Sequence, residues 1–230
     1  MAFAADDRWL TGLLASEKPM GSENQEPLKT IGVGTELFHN LIENNRYYVD
    51  KTPFIKTVFK DTGSDVMLIA RPRRFGKTLT MSTFYDFLSF NPENPDDVSR
   101  QEGWFKDTEI CRNAEYRDFC REYMGKFPVV FISMKDVAAD NFDVAYYQLG
   151  NVVFDAYNSF GYLADSPKLN NAEKKIFRSI ADDVEYICNP VNQKQMTVSL
   201  SRLIEFLCKH HGVKPILLID EWRRSWSTPP

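Results

Sequence analysis

The chain has 230 residues, 43% of them hydrophobic and 26% charged, and a net charge of −4. That balance provides enough apolar material for one ordinary to large domain, and a net acidic chain does not coat nucleic acid through overall charge, although a local basic groove stays open to it. No run approaches the roughly 18 apolar residues of a membrane span, Asp6 and Asp7 stand where a secretory leader is positive, and four cysteines without CxxC spacing leave no legible zinc site and suit a reducing, cytoplasmic setting.

In chain order, residues 1–27 read as a flexible arm, small and polar apart from Trp9-Leu10 and Leu13-Leu14, with Met20 as a second candidate start. Gly32-Val33-Gly34 lacks the third glycine and the preceding strand of a dinucleotide fingerprint, so it reads as a turn. A helix is expected over Thr35–Asn44, capped by Thr35 and burying Leu37, Leu41 and Ile42. Tyr47–Lys60 reads as a short turn and then a helix carrying Phe54, Ile55, Val58 and Phe59. The apolar run Val66–Ala70 is expected as a strand, followed by a polar loop and a helix over Thr78–Phe90 that Asn91-Pro92 ends. Asn91–Gly103 reads as a loop and Trp104–Gly125 as helical in part. Val129–Ser133, after Pro128, is expected as a second parallel strand, with Lys135 and Asp136 in a surface turn. Phe142–Phe160 and Ala172–Ile187 read as helices split around Ser166-Pro167, and Met196–His211 as a further helix that Gly212 ends. Ile216–Asp220 closes the series as a strand apolar enough to be buried on both faces.

Two of these segments carry chemistry. In Val66–Thr78 the order strand, loop, helix closes on Gly76-Lys77-Thr78, which is the order a phosphate-binding P-loop requires. Backbone N–H groups at the helix start favour an anion, Lys77 would reach the β- and γ-phosphates of a nucleotide, and the Thr78 hydroxyl would ligate Mg²⁺. The pattern GxxxxGK[ST] asks for glycine where Arg71 stands. Arg71, Arg73, Arg74 and Lys77 gather positive charge there; Arg74 reads either as a phosphate or inter-subunit contact or as a solvated loop residue. The second segment ends in Asp220-Glu221 at the C-terminal end of a strand, facing the crevice where open α/β sheets bind ligands. Asp220 is placed to hold Mg²⁺ and Glu221 to polarise an attacking water. Asp50 and Lys51 read as base or ribose contacts, or as a structural ion pair.

Tyr47-Tyr48-Val49-Asp50-Lys51-Thr52, Ala70–Leu79 with its core RPRRFGKT, Lys126–Phe131 and Ile219-Asp220-Glu221 together resemble the AAA-ATPase-like family of prokaryotic proteins. The resemblance covers about Leu28 to Glu221 and accounts for Arg71, since that family replaces the first loop glycine. It implies a P-loop NTPase of the ASCE, AAA-like type: an α/β three-layer sandwich with a mainly parallel sheet, occupying residues 28–221. It also implies ATP and Mg²⁺ as ligands, with Arg74, Phe75, Gly76, Lys77, Thr78 and Leu79 around the nucleotide, Thr78 and Asp220 on the metal, and Lys77 and Glu221 in catalysis. Many relatives continue into a nuclease-like domain, so a nucleic acid, such a domain and a homo-oligomer are the implied partners.

After Glu221 the family continues with a Tyr-Asp pair, whereas this chain reads Trp222–Pro230, an aberrant tail expected from a truncated frame. In the implied topology a later strand lies between the P-loop strand and Ile216–Asp220. Without it the sheet is incomplete at its C-terminal side, with a gap of about 9–10 Å and unpaired backbone groups. The reading is therefore an ATP-binding domain with impaired hydrolysis, against the alternative of a non-hydrolysing scaffold with a vestigial nucleotide site.

Overall fold

The computed structural model describes residues 29–31, 34–61, 66–70, 72, 75–137, 139 and 141–220. The arm 1–27, Arg71, Arg73, Arg74, Glu221 and the tail 222–230 lie outside these residues.

The first half of the chain is helical. α1 (Phe38–Glu43), α2 (Pro53–Lys56, running into a π turn over Thr57–Asp61), α3 (Lys77–Leu88), α4 (Ser99–Phe105), α5 (Glu109–Arg112) and α6 (Arg117–Tyr123) precede the strand β1 (Val129–Ser133). Four further helices follow: α7 (Phe142–Asn158), α8 (Asn171–Ala181), α9 (Val184–Cys188) and α10 (Gln193–His211), before β2 (Ile216–Asp220). Local chemistry accounts for several boundaries. The Asn141 side chain accepts from the Val144 N–H to start α7, and Asn170 with Glu173 forms a reciprocal capping box on α8. Asp183 accepts from the Tyr186 N–H and so restarts the chain as α9, which is why the expected single helix Ala172–Ile187 is two. Gly212 ends α10 in the left-handed region at φ 75°.

Other expectations are corrected. Thr35 does not cap α1; Leu37 occupies that position, and the Thr35 hydroxyl instead accepts from Arg46. The expected loop over Asn91–Gly103 ends early, because α4 begins at Ser99, whose N–H donates to Asp97 at 3.0 Å.

β1 and β2 pair in parallel, in register from Val129 opposite Ile216 to Ser133 opposite Asp220. Alternation sends their side chains to two helical cores. Val130 and Ile132 enter a cluster with α7, α8, α9 and α10, built on Tyr157, Leu163, Phe177, Leu203 and Leu207. Val129 and Leu218 enter the other, with Phe38, Ile55, Phe84, Phe87 and Phe105 from the first helices. Helices thus cover both faces of a small parallel sheet, an α/β arrangement.

The strand expected over Val66–Ala70 does not form. The segment has no regular secondary structure and lies outside the sheet, with Val66 87% and Leu68 88% exposed. Nor is β2 buried on both faces: Leu217 and Ile219 remain 39% and 40% exposed. The physical reason is shared. Among the described residues no strand lies beyond β2, so neither the segment nor the outer edge of β2 has a neighbour to complete its backbone pairing and cover its side chains.

Candidate functional site

α3 sets the polarity of the site. Its last turn is bound to the residues that lead into β1: Gly125 N–H donates to the Phe87 carbonyl at 2.8 Å, Phe127 N–H to Leu88 at 3.0 Å, and Phe90 N–H to Phe127 at 3.1 Å. Further along, Tyr85 packs edge-on against Phe131. α3 therefore runs antiparallel to the strands, and its first turn lies at the end of the fold where Ser133 and Asp220 finish β1 and β2.

At that end Gly76 takes φ 71° and ψ 32° and caps α3. Only a residue without Cβ enters this left-handed turn without strain. The turn is locked by the Gly76 carbonyl, which accepts from both the Thr80 N–H and the Thr80 hydroxyl at 2.9 Å. The first N–H groups of the twelve-residue α3 have no partner within the helix and carry its positive dipole end, so this turn favours an anion. Lys77 and Thr78 begin α3 there, half-buried.

Beside the turn lies a cavity of about 360 Å³ bordered by Gly76, Leu79, Thr80, Phe75 and the stretch Tyr47–Val49 with Lys51. That is within the range of small-ligand sites. Tyr47 and Phe75 are exposed, while Tyr48 is half-buried against Phe38 at a ring separation of 5.0 Å. Burial, only partly offset by hydrogen bonds from Thr83 and the Lys51 backbone, holds the Tyr48 phenol above its ordinary pKa and keeps it neutral.

Asp50 and Lys51, paired in the sequence reading, part company. Lys51 borders the cavity, whereas the Asp50 carboxylate accepts from Thr52 N–H at 2.8 Å, Thr52 Oγ1 at 2.7 Å and Glu109 N–H at 2.6 Å. Asp50 is a structural latch between the cavity wall and α5. Thr35, Tyr47, Tyr48 and Val49 border the cavity without having been named individually as candidate site residues from the sequence. The aromatic doublet before Asp50 was the available signal.

Asp220 is 4% exposed at the end of β2, and its carbonyl accepts from Met134 N–H at 3.0 Å. The turn after β1 is tied across this end by an ion pair of Lys135 with Glu36 at 3.1 Å. Arg74 and Glu221 lie outside the described residues. Among the described residues no group of three or more His, Cys, Asp and Glu could hold a metal ion. The Thr78 hydroxyl and Asp220 carboxylate are hard oxygen donors of the kind Mg²⁺ takes, with phosphate oxygens completing such a sphere.

A larger cavity, about 440 Å³, lies on the far flank of α3 around His39, Asp86, Arg100 and Trp104. It contains none of the candidate ligand or catalytic residues named from the sequence, although Pro128–Phe131 of the resemblance segment line it. His39 Nδ1 bonds Asp86 there at 3.0 Å, and burial raises the Asp86 pKa despite that partner. Size alone does not make it the site, because the anion-favouring turn is elsewhere.

A family model described as Predicted AAA-ATPase matches residues 32–226. No curated protein and no solved structure matches the chain.

Proposed function

This chain belongs to the AAA-ATPase-like family of predicted ATPases, and we propose that it binds ATP with Mg²⁺ at the first turn of α3. The observation that carries the reading is Gly76 in the left-handed region opening α3 directly beside a cavity walled by Tyr47, Tyr48 and Phe75. In this reading the N–H groups of Gly76 to Leu79 and the Lys77 ammonium hold the phosphates, with Arg74 and Phe75 completing the loop. Tyr47 and Phe75 flank the base, and Thr78 with Asp220 holds the metal. Bound Mg²⁺ would supply charge neutralisation to the phosphates. Glu221 would orient water, and with Lys77 it makes up the catalytic pair.

The whole domain is then a P-loop sandwich over residues 28–221. Its partners are ATP, a second copy of the chain and, through a nuclease-like domain, a nucleic acid. Its free cysteines suit a reducing, cytoplasmic compartment. Among the described residues no helix is long and apolar enough to cross a membrane. One observation favours binding without efficient turnover, up to a scaffold role: Val66–Ala70, expected as the strand ahead of α3, stands outside the sheet of β1 and β2. Water positioning tolerates little error, about 100-fold in rate for roughly 1 Å.

The test is titration of the purified chain with a fluorescent ATP analogue and Mg²⁺. Lys77→Ala is expected to weaken binding by about 10- to 150-fold, from a charge-assisted contact of roughly 1.5–3 kcal/mol, with unchanged circular dichroism. Unchanged affinity would overturn the phosphate-loop assignment. In the same preparation, hydrolysis at ~1 per second or faster that disappears in Glu221→Gln would overturn the impaired-turnover reading.

A further inference from the structure

The 440 Å³ cavity beside His39 and Asp86 lies along an edge of the sheet rather than on a face. Its walls come from both helical layers: Tyr85 of α3 on one side, Ala156 of α7 and the following Phe160 on the other, with residues 128–131 between them. No residue of β2 borders it, so it follows the edge of β1 that β2 leaves open.

That edge carries unused backbone groups. Ile216 N–H donates to Pro128 and Met134 N–H to Asp220, so the N–H and C=O of Val130 and Ile132 serve β2. Those of Val129 and Phe131 point the opposite way and have no hydrogen-bond partner among the described residues. A third strand begins beside them and stops. Phe127 N–H donates to Leu88 and Phe90 N–H to Phe127, which bridges Ser89 to Phe127 in parallel, and Asn91-Pro92 follows. Pro92 has no N–H with which to continue the ladder. Evenly spaced backbone donors and acceptors in a walled slot suit an extended peptide, which adds to a sheet edge through its main chain.

Charge fixes the direction of that peptide. His39 holds the Asp86 carboxylate through its N–H and its ring, at 3.0 Å each, whereas Arg100 makes no ion pair among the described residues. Arg100 stands where β1 begins, because the adjoining Gln101 donates from Nε2 to the Ser89 carbonyl at 2.6 Å. A carboxylate at this end satisfies the guanidinium. Gln101 Oε1 is buried at the same end without a donor among the described residues, and a peptide N–H supplies one. Phe90, Pro92 and Pro128 border the cavity there and take an apolar side chain.

We propose that this slot binds the C-terminal segment of a partner protein as an added strand antiparallel to β1, with its terminal carboxylate on Arg100 and an apolar last side chain. The site is distinct from the cavity at Gly76 and does not rest on the function proposed above.

The experiment titrates the purified full chain into a fluorescein-labelled hexapeptide, Lys-Thr-Glu-Thr-Lys-Val with a free carboxylate, and follows anisotropy without nucleotide. Saturable binding is expected, weakened about tenfold or more when the terminus is amidated. Arg100→Gln, at an exposed position, is expected to bind acid and amide alike. N-methylation of single peptide residues is expected to weaken binding about tenfold at alternate positions only, since every second N–H of an added strand faces β1. Amide exchange at Val129 and Phe131 is expected to slow by about tenfold with peptide bound. Absence of saturation, a carboxylate preference that survives Arg100→Gln, N-methyl effects without a two-residue period, or unchanged exchange at Val129 and Phe131 would each overturn the proposal. No readout involves ATP, so either reading can fail without the other.

Discussion

Asp50 shows how one side chain changes meaning between sequence and structure. Beside Lys51 and near a phosphate loop it reads as a ligand contact. In the fold it accepts three hydrogen bonds, two from Thr52 and one from Glu109, and so joins the cavity wall to α5. Asp50→Ala leaves those donors without an acceptor, and such losses cost about 1–3 kcal/mol. The ligand-free protein is expected to unfold at correspondingly lower urea. Unaltered stability combined with weakened ATP binding would return Asp50 to the ligand role. Gly76 is the opposite case: glycine admits a positive φ at little cost, and the structure places it there at 71°. The meaning of a glycine in GKT is local, whereas that of a carboxylate depends on who folds back to meet it.

Helix contacts supply two further expectations. Gly150 lies inside α7, where glycine costs about 1 kcal/mol relative to alanine. The reason is the crossing with α9: a Cβ at Gly150 would stand 2.5 Å from Cys188 Sγ and 3.0 Å from its Cα. The second of these atoms is backbone and cannot swing away. Gly150→Ala is expected to destabilise by about 1–3 kcal/mol, the range of overpacking, in chemical denaturation; a stabilised variant would show that α7 and α9 part easily.

At the end of α10, His211 accepts from the Tyr162 hydroxyl at 2.8 Å and packs on Phe90. Burial first, then His210 and Lys168, lowers its pKa to about 4. The folded state thus favours the neutral ring, while the unfolded chain takes up a proton near 6.5. Stability from this group is complete above 6.5 and is lost as pH falls toward 4. After discounting for partial exposure, the loss is about 1–2 kcal/mol. Urea denaturation across this window is expected to show that slope in the native chain and a flatter one in His211→Phe.

Among the described residues, two helical cores share a sheet of two strands. Ile216 N–H donates to Pro128 and Met134 N–H to Asp220, so alternate residues of β2 face β1 while the backbone groups of Leu217 and Ile219 face the outer edge. Amide exchange at Leu217 and Ile219 is expected to be faster than at Leu218 by tenfold or more. Equal protection would mean that the edge is covered in solution.

What was legible from sequence follows this division. Helices α7 and α10 carry apolar periodicity, α3 is framed by its glycine start and the Asn91-Pro92 stop, and both strands are short apolar runs; each formed within a few residues of its expected place. The helix start at Gly76-Lys77-Thr78 was legible because turn chemistry and helix initiation are local, although the strand expected ahead of it did not form. Val66–Ala70 was misread as a strand for a reason of the same kind in reverse. Apolar, β-branched composition states only that a segment suits a sheet, and a strand exists only where a neighbour completes its hydrogen bonds.

The sequence by itself therefore determined the family, the glycine-opened start of α3 and the types of the most strongly patterned elements, since these rest on short-range patterns and residue chemistry. Only the tertiary structure decided that Asp50 latches α5, that Tyr47 and Tyr48 wall the cavity and that, among the described residues, β2 keeps an open edge. Each of these depends on which distant segments pack together, and packing is settled by the burial of two whole cores rather than by any one stretch of chain.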